Sequence, residues 1–151
     1  MTIEAKLAEI GVTLPEAAAP VASYRPVVVS GNTAYVSGQL PFVDGKLVTG
    51  KLGDGVSLEQ GQEAARACGL MILAQVKAAG LLERVEQVVK LGGFVASVPS
   101  FTDQPKVVNG CSDLMAEVFG DAGKHARAAV GVPVLPLDAA VEVDAIIALK
   151  A

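Results

Sequence analysis

The sequence predicts an α+β fold, a two-layer sandwich in which a mostly antiparallel sheet carries two main helices on one face. Three observations predict it: hairpin patterns at both ends of the chain, two amphipathic helical stripes between them, and an order of strands, helix, strand, helix and two strands. A chain of 151 residues can bury one core but not two comfortable ones. We therefore expect one domain over residues 1–151 with an N-terminal extension over residues 1–23.

The first part of the chain has the pattern of a helix, an arm and two hairpins. Apolar residues at helical spacing and a following glycine predict the helix, and two prolines among alanines predict an extended arm. Turn residues at Ser30-Gly31-Asn32 and at Asp44-Gly45 separate short apolar strands. The predicted elements are a helix over 3–10, an arm over 12–23, strands over 27–29, 33–37, 42–43 and 47–48, and a glycine-rich loop over 49–56.

The second part alternates long helices with strands. Ser57 and Gln60 form a capping box that begins a helix ending at Gly80. A strand follows over 88–98, in which Gly92-Gly93 indicates a bulge or a close backbone approach. The remaining predicted elements are a helix from 103–105 to Gly120 and two strands over 126–134 and 139–149, which we expect to form a C-terminal hairpin.

Composition excludes several classes of function. A net charge of −4 with no basic cluster argues against a nucleic-acid surface, and 4% aromatic residues argue against a base-stacking platform. Apolar runs are too short for a membrane helix, and no secretory leader pattern is present. Two cysteines in helical patterns favour a cytoplasmic chain with reduced thiols. Because 52% of the residues are hydrophobic, we expect a homo-oligomer to cover the second face of the sheet.

Two charged residues stand within apolar strands near the C-terminus. Arg127 begins one such strand, and Glu142 lies between valines in the next. Burying either charge alone is costly, so each needs a partner. One explanation is an intersubunit ion pair of Arg127 with Glu142 or Asp144. The other is a site that binds a small acid and orients a water molecule.

Four local patterns resemble the YjgF-type reactive-intermediate deaminase (Rid) family, whose older descriptions are endoribonuclease and translation inhibitor. They are Tyr24, Ser37-Gly38-Gln39-Leu40-Pro41, Asn109, and Arg127 followed by Val130-x-Val132-x-x-Leu135-Pro136 and Val141-Glu142-Val143. The resemblance implies a chorismate-mutase-like fold and a homotrimer with clefts between subunits. It also implies hydrolysis of enamines and imines, such as 2-aminoacrylate, to 2-keto acids and ammonia, without a metal or an organic cofactor.

The resemblance assigns three catalytic groups. Arg127 would bind the substrate carboxylate through its planar fork, while Glu142 and the carbonyl of Ala129 would hold the attacking water. Substrate binding would fall to Tyr24, Ser37, Gly38, Gln39 and Asn109. The alternatives are a solvated carboxylate for Glu142, a rim aromatic for Tyr24, a tight strand end for Ser37 to Gln39 and a helix-surface amide for Asn109.

The chain also departs from the deaminating branch and resembles a longer subgroup. Its arm is longer, residues 49–56 are inserted, and Ala129 and His125 stand where Cys and Pro are common. We interpret His125 as a rim residue rather than a proton shuttle or metal ligand, and Cys68 and Cys111 as core. Deaminase is the favoured function. A trimer that binds a small carboxylate without turnover is the alternative, and a ribonuclease or translation inhibitor ranks below both because the chain is acidic.

Overall fold

The described part of the chain, residues 1–19 and 23–151 of a computed structural model, folds into three α-helices and nine strands. The helices are α1 (Ile3–Glu9), α2 (Leu58–Ala78) and α3 (Gln104–Phe119). The strands are β1 (Val27–Ser30), β2 (Thr33–Gln39), β3 (Phe42–Val43), β4 (Lys46–Leu47), β5 (Lys51–Leu52), β6 (Gly55–Val56), β7 (Val85–Ala96), β8 (Ala126–Val132) and β9 (Val141–Leu149). The predicted arm lies partly outside the described residues, because it includes residues 20–22.

Five strands form the main sheet in the order β1-β2-β9-β7-β8. Every neighbouring pair is antiparallel except β7 and β8, which run parallel because α3 carries the chain across the sheet between them. The buried side chains of α2 and α3 pack on one face of this sheet. The predicted α+β sandwich with a mostly antiparallel sheet and two main helices is therefore confirmed.

The predicted C-terminal hairpin is wrong. β8 lies at the sheet edge, whereas β9 is inserted between β2 and β7. The intervening segment turns through left-handed backbone at Leu137 and Asp138, with φ of 59° and 60°, and passes the end of β7, where the Ala96 N–H donates to the Ala140 carbonyl. In this central position all alternate residues of β9 on the helix side are buried.

Close packing against the helices explains several sequence signals. Ser57 and Gln60 form the predicted capping box at the start of α2. Gly93 allows α3 to approach, since a Cβ at this position would lie 2.6 Å from Val108 Cγ2. The close approach at Gly92-Gly93 is thus confirmed, while the strand irregularities fall between Val85 and Lys90. Cys68 and Cys111 are fully buried, as expected of core residues.

Smaller elements close the ends of the sheet. The 42–47 hairpin turns at Asp44-Gly45 with positive φ at both residues, as its sequence predicts. The glycine-rich segment 49–56 is more ordered than the predicted loop, because β5 and β6 pair in parallel within it. α1 packs its buried Leu7 on the core, and the Glu83 carboxylate accepts the N–H groups of Ile3 and Glu4 at its first turn.

The face of the sheet away from α2 and α3, hereafter the open face, exposes several apolar side chains. Its exposed side chains include Val28, Tyr35 and Val130, which are 50%, 48% and 44% exposed. Glu142 and Asp144 of β9 also lie on this face and are half-buried. In the described ranges, no helix has the length and apolarity required to cross a membrane.

Candidate functional site

A cleft of about 550 Å³ opens beside β2 and β9. It contains five of the eight predicted site residues, contributed by the segment before β1, by the end of β2 and by β9: Tyr24, Ser37, Gly38, Gln39 and Glu142. The rest of the lining includes Leu40 and Pro136, which lie in the sequence patterns above without an assigned role, and Gln75 and Leu137, which the sequence did not indicate. The Ser-Gly-Gln motif and the β9 carboxylate therefore share one cavity.

Gly38 brings the Glu142 carboxylate to the cleft. A Cβ at position 38 would lie 2.8 Å from Glu142 Cδ, which is shorter than any real contact of this kind. The pairing of β2 with β9 shifts register between Val36 and Gln39, so the strand bends at this glycine. A glycine in the bend leaves room for the carboxylate, which a side chain there would displace.

The surroundings of the cleft raise the pKa of Glu142 above that of an ordinary glutamate. Burial raises the pKa of the Glu142 carboxyl, and the neighbouring Asp144 raises it further. Burial also raises the pKa of Asp144, although the Gly92 N–H and Lys90 act in the opposite direction. A carboxylate of this kind takes up a proton more readily than an ordinary glutamate, which suits a general base.

Hydrogen bonds fix the floor of the cleft. Gln39 Nε2 donates to the Ser37 carbonyl at 2.9 Å, and Ser37 Oγ donates to the Arg25 carbonyl at 2.9 Å. From α2, Gln75 Nε2 donates to Gln39 Oε1 at 3.3 Å and to the Ala18 carbonyl at 2.8 Å. The buried amide of Gln39 thus has partners in the fold and serves to shape the floor.

Arg127 belongs to a second cluster, at the edge strand β8. One terminal nitrogen, Nη1, donates to Asn109 Oδ1 at 2.7 Å and to Ser112 Oγ at 3.1 Å. Ser112 Oγ lies 2.8 Å from Nε2 of His125, whose Nδ1 lies 2.6 Å from the Gly123 carbonyl. Within residues 1–19 and 23–151, Nε and Nη2 of Arg127 have no hydrogen-bond partner.

The side chains of Arg127 and Glu142 point to opposite sides of the sheet. In the strand register Arg127 pairs with Leu91, which is buried under the helices, whereas Glu142 pairs with Phe94 on the open face. Ala129 lies two residues after Arg127 and so shares its face. Within one chain, Arg127, Asn109 and the Ala129 side chain therefore lie on the side of the sheet opposite to the Glu142 carboxylate. Among the described residues Arg127 forms no ion pair with Glu142 or Asp144.

Ser112 is a polar group of this cluster that the sequence analysis missed. It follows Asn109 by one helical turn, so the two side chains share a face of α3. His125 and Arg127 are two residues apart around the start of β8, and the strand period of two places their side chains on the same face. Among the described residues, no three His, Cys, Asp or Glu side chains converge as they would around a metal ion.

Comparison with known proteins yields one family over almost the whole chain. Residues 4–149 match the family model described as "YjgF/chorismate mutase-like, putative endoribonuclease". Protein TCP17 of Trypanosoma cruzi is 53% identical over 98% of this chain and 94% of its own length. A crystal structure of Atu1372 from Agrobacterium tumefaciens, of unknown function, is 52% identical, covers 98% of this chain and 92% of its own, and superposes with a TM-score of 0.90.

A relative with a stated activity is more distant. The 2-iminobutanoate/2-iminopropanoate deaminase of Dermatophagoides farinae is 33% identical over 92% of this chain and 95% of its own. Its similarity extends along the chain rather than being confined to one motif.

Proposed function

The chain belongs to the YjgF/chorismate-mutase-like family, and from this premise we propose that it is a deaminase that hydrolyses small 2-imino acids and their enamines to 2-keto acids and ammonia. The observation that carries the proposal is the Glu142 carboxylate, which lies against Gly38 in a cavity and has a pKa raised by burial. A proton acceptor of this kind can activate a water molecule near neutral pH. The named deaminase relative supports the same chemistry.

Arg127 is the proposed carboxylate clamp. Asn109 and Ser112 hold Nη1, and the edge formed by Nε and Nη2 remains available for two parallel hydrogen bonds to a carboxylate. Every 2-imino acid carries that carboxylate next to the reacting carbon. A ligand held at this edge therefore presents its imine carbon at a defined distance from the clamp.

A second copy of the chain completes the site in this proposal. Arg127 and Glu142 face opposite sides of one sheet, so one molecule cannot bring both to a single small ligand. The exposed apolar side chains of the open face favour association. We propose a homotrimer in which Arg127, Asn109 and Ala129 of one subunit meet the Glu142 cleft of its neighbour.

The proposed reaction needs only water and protons. Solvent protonates the enamine carbon to give the iminium ion, which is the protonated form of the imine. Glu142 and the Ala129 carbonyl hold a water molecule, Glu142 takes its proton, and the oxygen bonds to the imine carbon while the C=N electron pair moves to nitrogen. After nitrogen is protonated, the C–N bond breaks, the hydroxyl loses its proton to form the keto group, and ammonia leaves. The Tyr24 hydroxyl can donate to the bound ligand at the rim.

Two other functions are weaker alternatives. The same cleft would serve a trimer that binds a small carboxylate without turnover. A ribonuclease would need concentrated positive charge, and the chain carries a net charge of −4. The two buried free thiols, Cys68 and Cys111, favour a cytoplasmic location for either small-molecule role.

The test measures ammonia and keto-acid release from imines generated in situ by an amino-acid oxidase. We expect wild type to exceed the background rate and Arg127→Ala to lose that excess. Arg84→Ala is the control and should retain the wild-type rate, because Arg84 lies outside the site and its Nη2 donates to the Lys150 carbonyl. If no imine is hydrolysed faster while pyruvate raises the melting temperature, the binding function replaces the deaminase.

Complementation tests the two-subunit site separately. Arg127→Ala and Glu142→Gln are each expected to be inactive. Random mixed trimers of the two variants would contain about one intact cleft in four, because each cleft needs an arginine from one copy and a glutamate from another. Recovered activity supports the shared site, and a mixture as inactive as its components contradicts it.

A further inference from the structure

A chain of hydrogen-bonding groups continues behind the Arg127 guanidinium, and we propose that Ser112 and His125 are positioning residues that orient this guanidinium for a carboxylate ligand. The inference rests on the proposed function only in taking Arg127 as the clamp. It assigns a role to a histidine that the sequence placed at the rim and to a serine that it did not single out.

The donor and acceptor roles along this series of hydrogen bonds follow from its last group, the Gly123 carbonyl. The Gly123 carbonyl can only accept, so His125 Nδ1 at 2.6 Å must carry a proton. In the neutral ring Nε2 is then an acceptor, and Ser112 donates its only hydroxyl proton to it across 2.8 Å. The lone pairs of Ser112 Oγ remain for the Nη1 hydrogen of Arg127 at 3.1 Å.

This order fixes the plane of the guanidinium. Nη1 has two hydrogens, and Asn109 accepts one while Ser112 accepts the other. A planar group held at two points cannot rotate freely, so the Nε–Nη2 edge keeps one orientation before a ligand arrives. Without His125 Nε2 as acceptor, the Ser112 hydroxyl could turn its proton toward Arg127, and the hydrogen bond from Nη1 to Ser112 Oγ would be lost.

The sequence contains one histidine, so nitrogen NMR of untagged protein reports on His125 without assignment variants. We expect the wild-type ring to carry its proton on Nδ1. Ser112→Ala should shift the Nε2 resonance, because the ring loses its donor, whereas Ser112→Thr retains the hydroxyl and should keep the resonance near its wild-type position. Ser100→Ala, which removes an exposed hydroxyl away from the cluster, is the matched control.

Ligand binding provides the second readout, with pyruvate as the probe. Ser112→Ala and His125→Phe should raise the Kd for pyruvate and the KM for imines about fivefold to tenfold, with little change in kcat, because the clamp holds ground state and transition state alike. Ser112→Thr should restore tight binding. If weaker binding instead follows a lower melting temperature in every variant, Ser112→Thr included, it results from a loss of folding and the positioning role is overturned.

The outcomes are distinguishable. A wild-type ring protonated on Nε2, or a Ser112→Ala variant with unchanged Nε2 resonance and unchanged pyruvate Kd, overturns the inference. If the ring behaves as expected but wild type neither binds pyruvate nor hydrolyses imines, the hydrogen-bond order is supported and the proposed function alone is overturned.

Discussion

The Glu142 side chain occupies the space that a side chain at Gly38 would need, with Glu142 Cδ 2.8 Å from an ideal Cβ on Gly38. The two residues belong to neighbouring strands, β2 and β9, where β2 bends between Val36 and Gln39. The position of the Glu142 carboxylate thus depends on the absence of a side chain at residue 38 of the neighbouring strand.

Gly38→Ala should therefore displace Glu142 rather than unfold the protein. We expect kcat/KM for imine hydrolysis to fall about a hundredfold, because a shift of roughly 1 Å in a reacting group has an effect of this size. The melting temperature should change little, since the far end of a half-buried side chain can move. Unchanged kinetics with a correctly folded variant would contradict the assigned position of the base.

Glu142→Gln should stabilise the fold at neutral pH while abolishing hydrolysis. Because the folded state raises the pKa of Glu142, its ionised form destabilises the fold above that pKa, and the penalty disappears as pH falls below the ordinary glutamate value of about 4.3. Glutamine has no such penalty. At pH 8 the melting temperature of Glu142→Gln should exceed that of wild type, and this difference should shrink at pH 6 and again at pH 4. A difference that grows as the pH falls would contradict the raised pKa of Glu142.

The same carboxylate should set the acid limb of the pH–rate profile. A base must be ionised, so kcat/KM should fall as pH drops through the raised pKa of Glu142, at a pH above that of an ordinary glutamate. Steady-state rates between pH 4 and 8 measure the limb. If the apparent pKa of this acid limb equals or lies below that of an ordinary glutamate, the base is a group other than Glu142.

A charge on the open face should dissociate the proposed trimer. Val130 is 44% exposed on this face, and Val130→Lys would place an ammonium group in an apolar interface. Analytical ultracentrifugation should show smaller species than wild type. Ala79→Lys, which adds the same charge at the end of α2, should leave the oligomer intact. Equal sedimentation of wild type and Val130→Lys would remove this face from the interface.

Gly110→Ala should weaken the contact between α2 and α3. A Cβ there would overlap the Gln62 carbonyl and lie 3.1 Å from its Cα, and backbone atoms cannot move aside cheaply. Alanine ordinarily favours a helix by about 1 kcal/mol, but overpacking costs about 1–3 kcal/mol, so we expect a net loss of stability. Urea unfolding measures the change in the free energy of unfolding. Asp113→Ala, which alters an exposed residue of the same helix, is the control. A more stable variant would show that the helices can separate freely.

The strand and helix pattern of the chain was predictable, but the strand order was not. Helix caps such as Ser57 and turns such as Asp44-Gly45 are local signals, and both appear where the sequence indicates. The hairpin predicted for the last two strands failed because insertion of β9 between β2 and β7 depends on pairing across the whole sheet. Such long-range pairing has no local signature.

The same limit applies to the site. Residue types singled out Arg127 and Glu142 as candidates, but the face to which each points depends on strand order and register. Ser112 was missed because a serine on a helix is common, and only its distance to His125 distinguishes it. The motif around Ser37 was easier to interpret, since Gly38 itself marks a close approach.

The crossover from β7 through α3 to β8 has a consequence for substrate range. It places Asn109, Ser112, His125 and Arg127 in one continuous stretch of sequence, while the Glu142 cleft is assembled from the segment before β1, the end of β2 and β9. In the proposed deaminase, the group that would bind the carboxylate shared by all 2-imino acids is thus encoded apart from the walls that would meet their variable side chains. Substitutions at the walls can retune selectivity between ligands without altering the common anchor, so members of this fold can diverge in specificity one segment at a time.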